Sequence, residues 1–206
     1  MKIAVFVSGG GTNLQAIIDK IASGEIHNVE IAEVIASNDR AYALERAKKA
    51  GIPGKVISKK ALGDTAYDEA TLSELNSLGV ELVVLAGFLS MLGPKTVAAY
   101  ANRIINIHPA LIPAFCGKGM YGIRPHEAVL AKGVKVSGAT VHFVNEHYDE
   151  GPIILQKAVD VLPDDTPEVL QQRIMKECEQ VILPKAIQLI ADGKIEVVNN
   201  LVRVRT

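Results

Sequence analysis

This 206-residue chain has few cysteines, no excess of charge of one sign and no long hydrophobic run at its start. Its two cysteines, Cys116 and Cys178, provide neither a multi-disulfide framework nor the spacing of a zinc site, which favours a reducing, cytoplasmic setting. The 22 basic and 23 acidic residues give a net charge of −1. We therefore expect no polyanion-binding surface and no nucleic-acid partner.

The first hydrophobic run, Ile3–Val7, is too short for a signal peptide or a membrane span, so we expect no membrane association. It is typical of a buried first strand. The hydrophobic content of 49% is that of a protein with a sizeable core, and the length suits one large or two small domains. We predict a single domain over residues 1–206.

Strand-like and helical stretches alternate in the first half of the chain, which is typical of βαβ units. Because such units build a parallel sheet covered by helices, the alternation predicts an α/β fold with a mostly parallel, twisted sheet and helices on both faces. The predicted strands are 3–7, 29–36, 55–57, 81–86 and 104–108, and the predicted helices are 12–22, 41–50, 65–78 and 94–101.

The second half of the chain has a different pattern. Residues 109–125 are rich in glycine and proline without periodicity, and loops of this length commonly serve binding or catalysis. Two strand patterns, 134–144 and 153–161, flank a polar turn, which predicts a C-terminal antiparallel portion. Thr166 can cap a long helix that continues to about Asp192.

Three glycines in Ser8–Asn13 lie between the first strand and the first helix. Backbone N–H groups and the positive end of the helix make such a turn a candidate anion site, with phosphate as the natural ligand. No Gly-Lys-Ser/Thr follows, so it is not a Walker loop, and Leu14 stands where a dinucleotide fingerprint needs its third glycine. A tight turn that needs glycine for its conformation alone is the alternative.

The run Ile104–Pro109 ends with Asn106 and His108 on one strand face, because successive side chains of a strand point to opposite faces. An amide and an imidazole at the carboxyl end of a strand could jointly hold the oxygen of a reacting carbonyl. The alternative is an ordinary strand end with two solvated polar residues.

A second alternating strand, Thr140–Val144, puts Thr140 and His142 on one face, and the turn after it delivers Asp149. A carboxylate there could pair with His108 and raise the pKa of its imidazole from about 6.5 toward neutrality, which favours the imidazolium. A solvated turn around Asp149 is the alternative.

Metal and thiol chemistry are weaker interpretations of the sequence. His142, His147 and Asp149 could imitate a two-histidine, one-carboxylate metal set, but no H-x-x-x-H helix accompanies them and we expect no metal. Cys116 with a histidine could form a thiol nucleophile, yet its neighbours match no nucleophile turn. We expect His126 to be a surface or capping residue.

Four segments together resemble the phosphoribosylglycinamide formyltransferases of the folate-dependent formyltransferase family. The resemblance runs from residue 1 to about 195 and is carried by 8–13, 85–89, 106–113 and 138–144 followed by 149–154. It implies a Rossmann-like formyltransferase fold that uses 10-formyltetrahydrofolate as co-substrate and needs no metal. The implied reaction transfers the formyl group to the amine of phosphoribosyl glycinamide in de novo purine (IMP) biosynthesis.

The resemblance further implies a nucleotide-binding half at 1–108, followed at 109–206 by folate-site loops, a hairpin and a C-terminal helix. It implies that Asn106, His108 and Asp149 are catalytic, with His108 the proton donor. The residues implied to bind the phosphoribosyl substrate are Gly11, Thr12, Asn13, Lys176, Glu177, Cys178 and Glu179. Those implied to contact the folate are Leu89, Ser90, Met91, Leu92, Asn106, Asn145, Glu146, His147, Tyr148 and Asp149. We expect a cytoplasmic monomer or homodimer with small-molecule substrates.

The chain departs from the family at Asp64 and Ser90, where many members carry basic residues on the folate side, and Lys59 or Lys60 could supply the missing charge. A hydrolytic deformylase would use the same Asn, His and Asp with water as acceptor. A non-enzymatic folate or nucleotide-binding module would bind without turnover. Methionyl-tRNA formyltransferase and formyltetrahydrofolate deformylase would need a further domain, for which we expect no room.

Overall fold

The computed structural model describes residues 1–205. Its strands are β1 Lys2–Val7, β2 Glu30–Ala36, β3 Gly54–Val56, β4 Leu82–Leu85, β5 Ile104–His108, β6 Val136–Phe143, β7 Ile153–Asp160, β8 Ile195–Val198 and β9 Leu201–Val204. Its α-helices are α1 Thr12–Ala22, α2 Ala43–Lys49, α3 Lys59–Leu62, α4 Asp64–Ser77, α5 Pro94–Ala99, α6 Arg124–Lys132, α7 Pro167–Ile174 and α8 Gln180–Ala191. A π-helical turn, Met175–Glu179, joins the last two helices.

Seven strands form one sheet in the order β3-β2-β1-β4-β5-β6-β7. Strand β1 pairs in parallel with β2 and β4, β2 pairs in parallel with β3, and β4 pairs in parallel with β5. Strands β6 and β7 are antiparallel, and β8 and β9 form a separate antiparallel pair. The predicted α/β class with a mostly parallel sheet and a C-terminal antiparallel portion is confirmed.

The centre of the parallel sheet is hydrophobic along its whole length. All five residues of Ile3–Val7 have no solvent exposure, and the four residues of β4 are buried. A parallel strand flanked by two others and covered on both faces needs a continuous apolar run rather than an alternating one. Strand β1 therefore ends at a fixed, buried position, from which the glycine turn begins.

The chain forms two compact units, Met1–Asn106 and a second unit that begins at Ile107. The boundary lies inside β5, two residues before the predicted division after residue 108. A single domain over 1–206 stays a prediction.

The C-terminal helices and strands agree in part with those predicted from the sequence. Thr166 caps α7, since its hydroxyl accepts the Val169 N–H at 3.3 Å, and the helical stretch ends at Ala191 as expected. The hairpin of β8 and β9 was not predicted. Its turn residues Asn199 and Asn200 have φ of 51° and 62°, and an Asn-Asn pair between two β-branched runs is a signal for such a turn.

No helix within residues 1–205 combines the length and the apolar composition that crossing a membrane requires.

Candidate functional site

The glycine loop, residues 8–13, is held by α2 through its carbonyl groups. The Ala43 N–H donates to the Gly9 oxygen at 3.1 Å, and Arg46 Nε donates to the Gly10 oxygen at 2.8 Å. In a trans peptide a carbonyl and the following N–H point in opposite directions, so the N–H groups of Gly10 and Gly11 are directed away from these donors. Such N–H groups ahead of a helix N-terminus are what an anion site requires.

Within this loop, the fold requires a glycine at Gly11 but not at the two preceding glycines, Gly9 and Gly10. Gly11 has φ of 70°, in the left-handed region, and a Cβ there would lie 2.6 Å from the Ala43 Cβ. Apart from its own chain neighbours, a Cβ at Gly9 or Gly10 would meet no atom of residues 1–205 within 4 Å. Since conformation and packing do not demand Gly9 and Gly10, the open surface they leave favours a ligand role over the turn-only alternative.

The segment from Phe88 to Leu92 presents apolar side chains to solvent. Leu89 is 62% exposed and Met91 is 39% exposed, whereas Leu92 is buried. The ring of Phe88 packs edge-on against Phe6, with the two ring centroids 5.3 Å apart. Exposed large apolar side chains on a segment anchored in this way are typical of a contact surface for an apolar ligand.

Lys59 and Lys60, the candidates to supply the missing basic charge, have different surroundings. Lys59 Nζ lies 3.3 Å from Asp64 Oδ1 and 5.9 Å from the ring centroid of Tyr67. Lys59 is thus paired with the Asp64 carboxylate, one of the two positions at which the resemblance implies a basic residue. Lys60 is exposed.

Strand β5 shows the alternation that the sequence predicts. Ile105 and Ile107 are buried, whereas Asn106 between them is half-buried. Because strand side chains alternate, Asn106 and His108 share the opposite face. The predicted amide and imidazole pair is therefore delivered at the end of a strand.

The His108 imidazole is 3% exposed and has an acceptor at each ring nitrogen. Its Nε2 lies 2.9 Å from the Phe115 carbonyl oxygen, and its Nδ1 lies 3.7 Å from Asp149 Oδ2. A carbonyl can only accept, so Nε2 carries a hydrogen. Nδ1 then faces a carboxylate, which is the arrangement that favours its protonation.

Asp149 lies between two imidazoles. Its Oδ2 accepts the Gly117 N–H at 2.8 Å, and its Oδ1 lies 3.5 Å from His142 Nε2. The ring of His142 is oriented by a 2.8 Å contact between its Nδ1 and the Phe143 carbonyl oxygen. Sequence reasoning predicted the pairing with His108 but missed His142 as a second partner, although His142 had been placed on the same strand face as Thr140.

The electrostatics of this cluster differ from the prediction for His108. Burial lowers the pKa of His108 and outweighs the raising effect of Asp149 and of the Phe115 carbonyl. The predicted rise of this pKa above about 6.5 is wrong in its net direction, because desolvation penalises the cation more than one carboxylate stabilises it. Burial also opposes ionisation of Asp149, yet His142, the Gly117 N–H and His108 hold its pKa below the ordinary value.

His126 is a buried residue, and its prediction as a surface or capping residue is wrong. The side chain lies on α6 with no solvent exposure, and neither ring nitrogen has a hydrogen-bond partner among residues 1–205. Burial, with a smaller contribution from His108, lowers the pKa of His126 to about 4. The imidazole is therefore neutral at physiological pH.

The remaining predicted residues lie on two segments of the second unit. Glu146, His147 and Tyr148 are exposed on the loop before Asp149. Lys176 to Glu179 form the π-helical turn, a local geometry that occurs frequently at functional sites. Cys178 in this turn is fully buried, so a substrate contact there would involve its backbone.

Neither cysteine has the surroundings of a nucleophile. Burial raises the pKa of Cys116 and of Cys178, and both are free thiols. Across residues 1–205, no three His, Cys, Asp or Glu side chains are grouped so that they could hold a metal ion.

The chain matches the formyl transferase family over residues 1–187. It is 41% identical over 201 residues to the phosphoribosylglycinamide formyltransferase of Haemophilus influenzae, covering 97% of this chain and 92% of that protein. The crystal structure of glycinamide ribonucleotide transformylase 1 from Symbiobacterium toebii matches with a TM-score of 0.93 and 44% identity, covering 100% of this chain and 94% of that one.

A more distant match has a similar fold and is named for a different reaction. The crystal structure of a formyltetrahydrofolate deformylase from Pseudomonas syringae superimposes with a TM-score of 0.88 at 25% identity, covering 100% of this chain and 66% of that one. Because the family match covers most of the chain and the alignments are long and well covered, the chain belongs to the formyl transferase family.

Proposed function

We propose that this chain transfers the formyl group of 10-formyltetrahydrofolate to the amine of N1-(5-phospho-D-ribosyl)glycinamide. The products are formylglycinamide ribonucleotide and tetrahydrofolate, in de novo purine biosynthesis. The observation that carries the proposal is the placement of Asn106 and His108 on one face of β5, with Asp149 3.7 Å from the imidazole. The names of the well-covered relatives support the choice of acceptor.

In the proposed reaction the amine attacks the formyl carbon, and the formyl oxygen becomes an oxyanion in a tetrahedral intermediate. The Asn106 amide and the His108 imidazole would donate to that oxygen. For His108 Nε2 to do so, the formyl oxygen has to take the place of the Phe115 carbonyl as acceptor. Collapse then breaks the bond to folate N10, which gains a proton, while the attacking nitrogen loses one.

Asp149 has an electrostatic role in this scheme. The carboxylate is ionised, because its contacts with two imidazoles and the Gly117 N–H hold its pKa below the ordinary value. It opposes the effect of burial on His108 and so increases the fraction of protonated, better-donating imidazole. Asn106, His108 and Asp149 are therefore the proposed catalytic residues.

The binding residues are proposed from the same reasoning. The N–H groups of the glycine loop at Gly11, Thr12 and Asn13 would hold the substrate phosphate, which serves as a remote anchor for the reacting amine. Lys176 to Glu179 would contact the phosphoribosyl substrate. Leu89 to Leu92 and the loop 145–149 would contact the folate. We further propose a cytoplasmic protein that is a monomer or a homodimer.

The experiment is an absorbance assay of formyl loss from 10-formyltetrahydrofolate, with and without glycinamide ribonucleotide and with no metal added. We expect turnover when the nucleotide is present and none without it. Formyl loss without the nucleotide would instead establish a deformylase, and binding without turnover would establish a folate-binding module.

A pair of variants connects the activity to the site. His108→Ala should fold normally and lose at least about 100-fold in turnover, the usual cost of removing one oxyanion donor. The matched control His27→Ala changes an exposed histidine outside the proposed site and should retain full activity. Full activity of a folded His108→Ala protein would remove His108 from its proposed role.

A further inference from the structure

The Ser8 side chain joins two segments to which the proposed function assigns different ligands. Ser8 follows β1 and begins the glycine loop. Its Oγ accepts the Leu89 N–H at 2.9 Å, and Leu89 begins the exposed apolar segment. Its own N–H donates to the Gly87 carbonyl at 3.1 Å. Ser8 thus forms hydrogen bonds with the backbone on both sides of Phe88, at Gly87 and at Leu89.

The same serine is fixed from the other neighbouring strand. The Ser37 hydroxyl donates to Ser8 Oγ at 2.8 Å, and Asn38 Nδ2 donates to the Ser8 carbonyl at 3.1 Å. Ser37 follows β2 and Gly87 follows β4, the two strands that flank β1 in the sheet. Ser8 therefore connects the carboxyl ends of three parallel strands at the point where the glycine loop begins.

We propose that Ser8 is a positioning residue that couples ligand binding at the glycine loop to ligand binding at Leu89–Leu92. This inference rests on the proposed function. A phosphate bound by the loop N–H groups immobilises the loop, and Ser8 Oγ transmits that restraint to the Leu89 backbone. The first ligand then orders both segments, so the second ligand loses less conformational entropy when it binds. Each ligand should therefore bind more tightly when the other is present.

The side chain, and not the backbone, carries the coupling. The Leu89 side chain is 62% exposed, so packing contributes little to holding this residue, and the bond from its N–H to Ser8 Oγ fixes the backbone there. Removing the hydroxyl leaves the N–H of Ser8 on Gly87 and its carbonyl on Asn38. The fold of the loop should therefore survive a Ser8→Ala change.

The test measures the affinity of glycinamide ribonucleotide by calorimetry, with and without saturating tetrahydrofolate, a pair of ligands that cannot react. We expect the folate to tighten nucleotide binding about 5-fold or more in the unmodified chain, within the usual range of coupling between sites. In Ser8→Ala this factor should fall to about 1. Ser8→Thr, which keeps a hydroxyl, should restore it.

Ser37→Ala is the matched control, because it removes a hydroxyl contact to Ser8 while leaving the Leu89 N–H bonded to Ser8 Oγ. It should retain the coupling. Equal coupling in Ser8→Ala and the unmodified chain, or no coupling in the unmodified chain, would overturn the inference while both ligands still bind. If the unmodified chain binds neither ligand, the proposed function itself fails, and this inference fails with it.

Discussion

Replacing His126 by leucine should change how the stability of the protein depends on pH. The imidazole is fully buried, neither ring nitrogen has a hydrogen-bond partner in the described part of the chain, and burial lowers its pKa from 6.5 to about 4. The unfolded chain therefore binds a proton more readily than the folded chain between these two values. In this window the free energy of unfolding falls as the pH falls, and the loss is complete below about pH 4.

The size of the effect follows from the shift. A difference of about 2.5 pKa units corresponds to about 3 kcal/mol at 1.36 kcal/mol per unit, and about 2 kcal/mol of it is already lost at pH 5. Leucine does not titrate, so His126→Leu should lose about 2 kcal/mol less than the unmodified chain between pH 7.5 and pH 5. Any constant cost or gain from repacking cancels in this comparison.

Urea unfolding of both proteins at pH 7.5 and pH 5 measures the difference. The control His27→Leu makes the same substitution at an exposed histidine. If His126→Leu and the unmodified chain lose equal stability on acidification, His126 is not held neutral by burial and the reasoning is refuted.

Three further predictions concern the site and the core. In Asp149→Asn the carboxylate no longer opposes the effect of burial on His108, so the pKa of His108 falls further and the activity limb governed by its protonation should move to lower pH; superimposable pH–rate profiles would contradict this. Gly10→Ala should leave the thermal stability unchanged but raise KM for glycinamide ribonucleotide about tenfold or more, because a Cβ there has room in residues 1–205 but would occupy the proposed anion site. Gly11→Ala should also destabilise the fold, because Gly11 has φ of 70° and a Cβ there would lie 2.6 Å from the Ala43 Cβ. Burial raises the pKa of Glu33, so stability is lost as pH rises through that pKa, and Glu33→Gln should stabilise the protein at pH 7.5 and give no gain at pH 3.5 in urea unfolding.

Local patterns were sufficient to predict most strands and the site residues that lie on them. The run Ile3–Val7 is wholly apolar because a central parallel strand is buried on both faces, and period two places Asn106 and His108 together. The short helix α3 was missed, because four residues are too few to show a 3.6-residue period. The hairpin of β8 and β9 was missed although Asn199 and Asn200 carry a recognisable turn signal.

What the sequence determined by itself was the class of the fold, the position of the glycine turn after the first strand and the identity of the polar pair on β5. Those features depend on neighbouring residues, whose spacing is visible in the chain. Tertiary structure alone decided that His142 and Gly117 join His108 around Asp149, that His126 is buried, and that burial outweighs Asp149 in setting the pKa of His108. Desolvation is the sum over every segment that excludes water from a group, and no local pattern of residues contains that sum.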